Sequence, residues 1–339
     1  MSNRFISLSD SDKALVFSQT AGRVQLPPNV VEKDWWVTAV LRAMFGTSCA
    51  AHISFKGGTS LSKAWGLIER FSEDVDLALS PAFFGIEPTT RSQRLRLRKE
   101  SRHYLTSVLT AELTEQLNIM GIHDFEVAPV TRVNTREGEV DIDGDKDPTV
   151  LLVKYRSILN GPLHYVQPMV KLETSCLSMS EPIERRAISS IVAQQFPQIE
   201  SDAALDMATV VPTRTFLEKA FLLNEEYQKQ HPRSLRMSRH LYDLERLMDT
   251  HFAEEALKDA ALYNAIMEHR RMFYALKYVD YDANIMSRIR IVPPDECIPA
   301  WQEDYTQMRK TFIYGESLSF DDLIARMEQL QERFRDASI

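Results

Sequence analysis

The hexapeptide at residues 74–79, DVDLAL, constrains this chain's fold more than any other stretch. Val75, Leu77 and Leu79 alternate with Asp74, Asp76 and Ala78, the period of two that sends successive side chains to opposite faces of a β-strand. The apolar set needs a covered sheet face, and the two carboxylates are forced to share the other.

Just upstream, HISF (52–55) reads as a short strand, and Gly57–Gly58 turn the chain into SLSKAWGLIERF, where Leu61, Trp65 and Ile68 recur at helical spacing. Two adjacent glycines, in a chain with only 11, leave backbone N–H groups open to an anion at the start of a helix. A plain strand-to-helix turn with Ser60 as cap is the competing account of the same residues. The acids bear on the choice. Asp74 and Asp76 are hard oxygen donors, and Mg²⁺ is commonly held by one or two carboxylates together with substrate phosphates. A third acid lies on VQPMVKLETS, a strand candidate that puts Lys171, Glu173 and Ser175 on one face and Val170 and Leu172 on the other. In phosphoryl transfer such a carboxylate can orient the attacking hydroxyl, although most strand-face acids are simply solvated.

The rest of the chain sorts into two halves. Residues 28–46 have helical spacing and end at Gly46, 91–120 read as an Arg-rich helix, and strands near 123–133 and 148–158 flank the acidic turn REGEVDIDGDKDP as a hairpin. Beyond about 185 the pattern is helical, and the prolines at 182, 197 and 212 mark the boundary segment 176–212. The expected domains are 1–180 and 181–339. At 339 residues the chain is long enough for two cores. Hydrophobic residues at 44% and charged residues at 26% exclude a disordered chain. No secretory segment or apolar run of membrane-spanning length is present, which reads as cytoplasmic, without membrane association. Cys49, Cys176 and Cys297 are odd in number and far apart, indicating neither disulfides nor a Cys metal site.

The ordered set of motifs resembles the AbiEii/AbiGii group of nucleotidyltransferase toxins, which includes the mycobacterial MenT toxins, in the DNA polymerase β-like superfamily. Gly57, Gly58, Thr59 and Ser60, followed by Arg70, Ser72, Asp74 and Asp76, are similar to the family's glycine–hydroxyl turn and Arg-x-Ser-x-Asp-x-Asp motif. Lys171-Leu-Glu173 resembles the Lys-x-acid strand, Thr215-Phe-Leu-Glu218-Lys219 with Arg214 ahead of it resembles a Thr-Phe-x-Glu-Lys helix start, and Arg239-His-Leu-Tyr242-Asp243 resembles the Arg…Tyr-Asp helix. The resemblance implies an α/β fold, with an N-terminal polymerase β-like nucleotidyltransferase domain on a mixed sheet and a C-terminal helical bundle. It implies Asp74, Asp76 and Glu173 as catalytic metal ligands for Mg²⁺, Lys219 on the triphosphate, and Asp243 in support of Lys219 or the metal shell. It further implies nucleotide contacts from Gly57, Gly58, Thr59, Ser60, Lys171, Arg214 and Arg239, and a reaction that moves NMP from an NTP to an acceptor hydroxyl with release of pyrophosphate. The implied acceptor is RNA, with the tRNA 3′ end as the expected site. The implied setting is a growth-inhibiting toxin–antitoxin (abortive infection) system with a cognate antitoxin. Transfer to a protein or small-molecule hydroxyl, and an NTP-binding regulatory module without turnover, are the alternatives.

Net charge of −8 argues against general affinity for nucleic acid, so any polyanion must meet a local patch. Arg91, Arg94, Arg96, Arg98, Lys99 and Arg102 could neutralise phosphates or form a solvated, internally paired helix; Arg233, Arg236 and Arg239 sit near the fourth motif. DIDGDKD departs from calcium-loop spacing and reads as a solvated turn, Trp35 and Trp36 read as core, and phosphorylation of Ser72 would place negative charge beside Asp74.

Overall fold

The computed structural model describes residues 4–72, 74–135, 138–159, 167–179, 181–200, 204–281 and 286–337. It comprises two units. The first is Met1–Ala64 with Glu73–Thr209; the second is Trp65–Ser72 with Val210–Ile339. Eight of the residues between the glycine turn and the acidic strand, Trp65–Ser72, are thus built into a unit otherwise drawn from the C-terminal end. Of the boundary segment, residues 180 and 201–203 lie outside the described residues, as do Arg136 and Glu137 of the acidic turn.

Unit 1 begins with α1 (Asp10–Val24) and α2 (Pro28–Met44), then β1 (Ile53–Lys56), α3 (Gly57–Lys63) and β2 (Asp74–Leu79). After α4 (Arg91–Tyr104) and α5 (Thr110–Ile119), joined by a π-helical turn at Leu105–Leu109, come β3 (Phe125–Pro129), β4 (Arg132–Thr135), β5 (Gly138–Asp141), β6 (Thr149–Tyr155) and β7 (Met169–Ser175). β8 (Ile183–Ile188), α6 (Ile191–Gln195) and β9 (Leu205–Val210, its last residue counted with the second unit) complete it. These last strands come from a stretch that the sequence reading groups with the helical half.

Seven strands form a mixed sheet in the order β3-β6-β7-β2-β1-β9-β8. β2 runs antiparallel to β1 and parallel to β7, and β6 is antiparallel to both β7 and β3. The alternation read from sequence sets the faces: Val75, Leu77, Leu79, Val170 and Leu172 are fully buried, while Asp74, Asp76, Lys171 and Glu173 stay half-buried. Each such aliphatic contributes about 1.5–3 kcal/mol by leaving water. α2, begun by Pro28 where a missing N–H costs nothing, is buried along nearly its whole length and packs against β7 and α5. Trp36 stacks on Tyr155 with centroids 4.6 Å apart, so the tryptophan pair is core. Cys49 and Cys176 are buried free thiols, and burial pushes both above the ordinary cysteine range.

The acidic turn holds more order than a solvated loop. β5 lies within it and pairs with β4, just upstream, as an exposed ribbon, and the Asp147 carboxylate accepts from the Cys176 N–H at 2.9 Å and the Ser175 hydroxyl at 2.5 Å.

Unit 2 contains α7 (Pro212–Glu226), α8 (Ser238–Leu247), α9 (His251–Ala256), α10 (Ala260–Phe273), α11 (Ile298–Thr311) and α12 (Phe320–Asp336). Phe216 of α7 stacks on Phe334 of α12 (5.3 Å), and Leu241, Leu244, Met327 and Leu330 are buried in the same unit. The helix expected over SLSKAWGLIERF is short in fact: α3 stops at Lys63, and Gly66 takes a positive φ of 63°. Past it, tertiary contacts hold Trp65–Ser72. Trp65 Nε1 donates to the Val210 carbonyl (3.1 Å) and its ring meets Phe252 edge-on, while the Phe71 N–H donates to the Phe312 carbonyl (2.7 Å).

Candidate active site

On unit 1, strand register gathers the carboxylates. Asp76 lies beside Glu173, and Asp74 beside Lys171, across the parallel β2–β7 pair, so three acids project from one face of two adjacent strands. From the other side, β1 puts Lys56 opposite Asp76. Parallel neighbours separated by almost a hundred residues cannot be read from local spacing, yet they bring the two sequence-predicted acid motifs together.

Gly57 follows β1 directly, at φ 77°. A Cβ built there would overlap the Asp76 carboxylate, so the bare α-carbon lets the turn pack against the acid. The hydroxyls of the motif face inward. Thr59 Oγ1 donates to the Asp74 carbonyl and Ser60 Oγ donates to the Gly57 carbonyl at 2.9 Å, both side chains being buried. Lys56 rather than Ser60 occupies the cap position of α3. The Thr59 bond ties the glycine turn to the acidic strand, and the Ser60 bond closes the turn on itself. Gly57→Ala should therefore cost about 1–3 kcal/mol from the left-handed backbone alone. It should also displace the Asp76 carboxylate, so that urea unfolding and activity are both impaired.

Glu173 is engaged by the Lys171 ammonium on the same strand face. Among the described residues no group of three or more His, Cys, Asp or Glu side chains converges as a metal site. Asp74 and Asp76 still offer the donor set that Mg²⁺ takes when substrate phosphates complete its shell: two carboxylates, half-open, on one strand face. They fit the ion as a pair. Glu173 fits as a third ligand only if it exchanges its Lys171 contact.

On unit 2 a second polar cluster is buried almost completely. Arg70 forks onto Asp243, Nε to Oδ1 at 2.6 Å and Nη2 to Oδ2 at 2.7 Å, and Lys219 Nζ lies 2.8 Å from Asp243 Oδ2. Asp243 is 0% exposed, Arg70 4% and Lys219 7%. Burial by itself would raise the Asp243 carboxyl, but Arg70 and Lys219 beside it more than offset that and hold it well below the usual carboxylate range. Burial lowers the Lys219 ammonium; Asp243 opposes this shift, and the Arg70 and Arg239 charges add to it. α8 presents Asp243 and α7 presents Lys219, while the returning segment 65–72 presents Arg70, which is fixed by a bridge to Ile313. The Arg70–Asp243 fork joins the first and fourth sequence motifs, a link that motif reading by itself missed.

The remaining predicted residues lie nearby in sequence but differ in setting. Arg214 is fully buried with Nε 3.3 Å from Glu218 Oε1, and Arg239 is half-buried. His240, which the sequence reading did not single out, is buried next to Arg239 on α8; its i, i+4, i+7 spacing with Leu244 and Leu247 was the available signal. Many of the arginines noted for polyanion binding have partners inside the chain. Arg96 pairs with Glu100 (2.6 Å), Arg94 donates to the Thr89 carbonyl (2.9 Å), buried Arg102 donates to the Val130 carbonyl (3.4 Å), and Arg233 pairs with Glu226 (2.8 Å).

No significant match is found among curated proteins. Among solved structures, the MenT4 nucleotidyltransferase toxin of Mycobacterium tuberculosis is 18% identical, with 97% of this chain and 90% of that one covered at a TM-score of 0.48. The family model described as nucleotidyl transferase AbiEii toxin, type IV toxin–antitoxin system, matches residues 40–326. That span takes in the carboxylates of β2 and β7, the glycine turn and the Arg70–Asp243–Lys219 cluster, and the chain belongs to the AbiEii nucleotidyltransferase toxin family of type IV toxin–antitoxin systems.

Proposed function

We propose that this chain transfers NMP from an NTP to a hydroxyl of RNA, the tRNA 3′ end being the preferred acceptor, with release of pyrophosphate and arrest of growth until a cognate antitoxin intervenes. The observation that carries this reading is the shared strand face of Asp74, Asp76 and Glu173, tied by Thr59 and Gly57 to a glycine turn.

Asp74 and Asp76 are the residues that hold Mg²⁺. When bound, the ion supplies charge neutralisation at the phosphate oxygens and lowers the pKa of an attacking hydroxyl. Gly57 and Gly58 give the triphosphate a close approach to the backbone, and buried Thr59 and Ser60 fix the shape of that turn. Glu173, released from Lys171, orients the acceptor hydroxyl, and Lys171 is then free to meet phosphate. In unit 2, Lys219 meets the charge that develops toward pyrophosphate, as a point charge suited to phosphate oxygens. Asp243 positions Lys219, with Arg70 fixing the carboxylate through both of its oxygens. Arg239 and Arg214 lie in the same stretch of unit 2 as supporting cations for the nucleotide.

Incubating the protein and Mg²⁺ with each α-³²P-NTP and with separate RNA, protein and small-molecule acceptors tests the reading. Label is expected in the RNA fraction, lost on treatment with a 3′-exonuclease. Label confined to the protein or small-molecule fraction would reassign the acceptor, and NTP binding without label anywhere would leave a regulatory nucleotide-binding module.

A further inference from the structure

His240 sits in the first turn of α8, one residue after Arg239 and one helical turn before Asp243, the carboxylate that receives Lys219 and Arg70. Its side chain is buried, and Nδ1 has no hydrogen-bond partner among the described residues. A buried polar nitrogen without a partner is rare because its desolvation goes uncompensated.

The charges around it share one bias. Lys219 comes from α7, Arg70 from the segment 65–72, and Arg239 and Asp243 from α8 itself: three cations against one anion. The charged groups on the other packed helices are held by partners of their own. Asp304 of α11 accepts from the backbone N–H groups of Arg236 and Ser238, and Arg326 of α12 is engaged by Asp249 and Glu245. Burial, then the Lys219 and Arg239 charges, drive the imidazole well below its ordinary value of 6.5, so it is neutral at physiological pH. A polyanion arriving at Lys219 and Arg239 reverses that balance.

We propose that His240 is a further residue of the triphosphate-binding set, a buried imidazole that takes up a proton from solvent as the anion binds and then donates through Nδ1. The inference rests on the reading that Lys219 meets an NTP. No bond other than the N–H forms, the proton comes from the buffer, and the imidazolium adds a cation where phosphate charge is concentrated. Nucleotide affinity is then coupled to pH by one side chain.

The test is calorimetric titration of the full chain at pH 7.5 with each of the four α,β-methylene NTPs and with inorganic triphosphate, in buffers of different ionisation enthalpy. Net uptake approaching one proton per bound triphosphate is expected. His240→Asn or His240→Gln, whichever shows wild-type circular dichroism, should still bind, about tenfold more weakly, with the uptake abolished. Equal proton counts in wild type and variant would overturn the proposal and place the uptake on Lys219 or the phosphate. Failure of every probe to bind the wild type would remove the nucleotide reading itself, and this proposal with it. Should neither variant fold, ¹⁵N-imidazole spectra of the wild type decide: one of the eight histidines must become protonated on adding triphosphate, and none doing so overturns the idea.

Discussion

Replacing Asp74 with Asn should lower NMP transfer at least about a thousandfold, on the order of 4 kcal/mol of transition-state stabilisation, while leaving the unfolding free energy within about 0.5 kcal/mol. The two halves of that expectation have separate physical origins. Asp74 projects from the half-open face of β2, so its carboxylate lies outside the packed layer of Val75, Leu77 and Leu79. Its tie to the glycine turn runs through its backbone carbonyl, which Thr59 reaches and which the substitution leaves intact. What the substitution does remove is one of two anionic oxygen donors for the cation, and a neutral amide is a poor replacement for a hard dication. Glu173→Gln should be milder, about ten- to a hundredfold, because that carboxylate is already engaged by Lys171 and stands outside the two-carboxylate pair. Single-turnover label transfer and urea unfolding on the same preparations check both. Transfer within tenfold of wild type by Asp74→Asn would sink the metal-ligand role, and growth arrest that survives it would turn the reading toward a binding module.

How far the sequence carried these assignments depends on the distance over which each contact acts. Asp74 and Asp76 were legible because a strand's period of two is local, and Lys171-Leu-Glu173 was legible for the same reason. That β2 and β7 are parallel neighbours in matching register was not, since no turn of a few residues fixes it. The helix through Leu61, Trp65 and Ile68 had the right spacing but the wrong length. Gly66 breaks it, and Trp65 and Phe71 find partners at Val210 and Phe312 that no window of sequence contains. β9 was readable in principle, with Leu205, Met207 and Thr209 alternating into the core, but its weak β-formers Asp206 and Ala208 obscured the pattern. Arg70 and Asp243 are 173 residues apart, and each alone looks like an ordinary helix or loop charge. The fork between them is a property of the folded chain.

That fork sets up the second large effect. Asp243→Ala should destabilise the protein by about 3–5 kcal/mol, because it strands two buried cations, Arg70 and Lys219, that share this carboxylate. Lys219→Met should cost much less. It removes a single cation and leaves Asp243 with both oxygens held by Arg70, and a methionine side chain refills most of the volume. Both variants should lose transfer, so activity alone cannot tell positioning from structure, whereas the ordering of stabilities can. The pH dependence follows from the same geometry. Asp243 is held below its unfolded value of 3.8, so the unfolded chain binds the proton more readily than the folded one, and stability rises with pH through that range. The contribution is complete above the ordinary carboxylate range and is lost as pH falls below it toward the depressed folded value. Urea unfolding from pH 6 to pH 3 should therefore show an acid loss in the wild type and in Lys219→Met that is diminished in Asp243→Ala, which has already surrendered the carboxylate. Equal destabilisation by the two variants, or an unchanged acid limb in Asp243→Ala, would mean that the carboxylate is not what holds Arg70 and Lys219 in place.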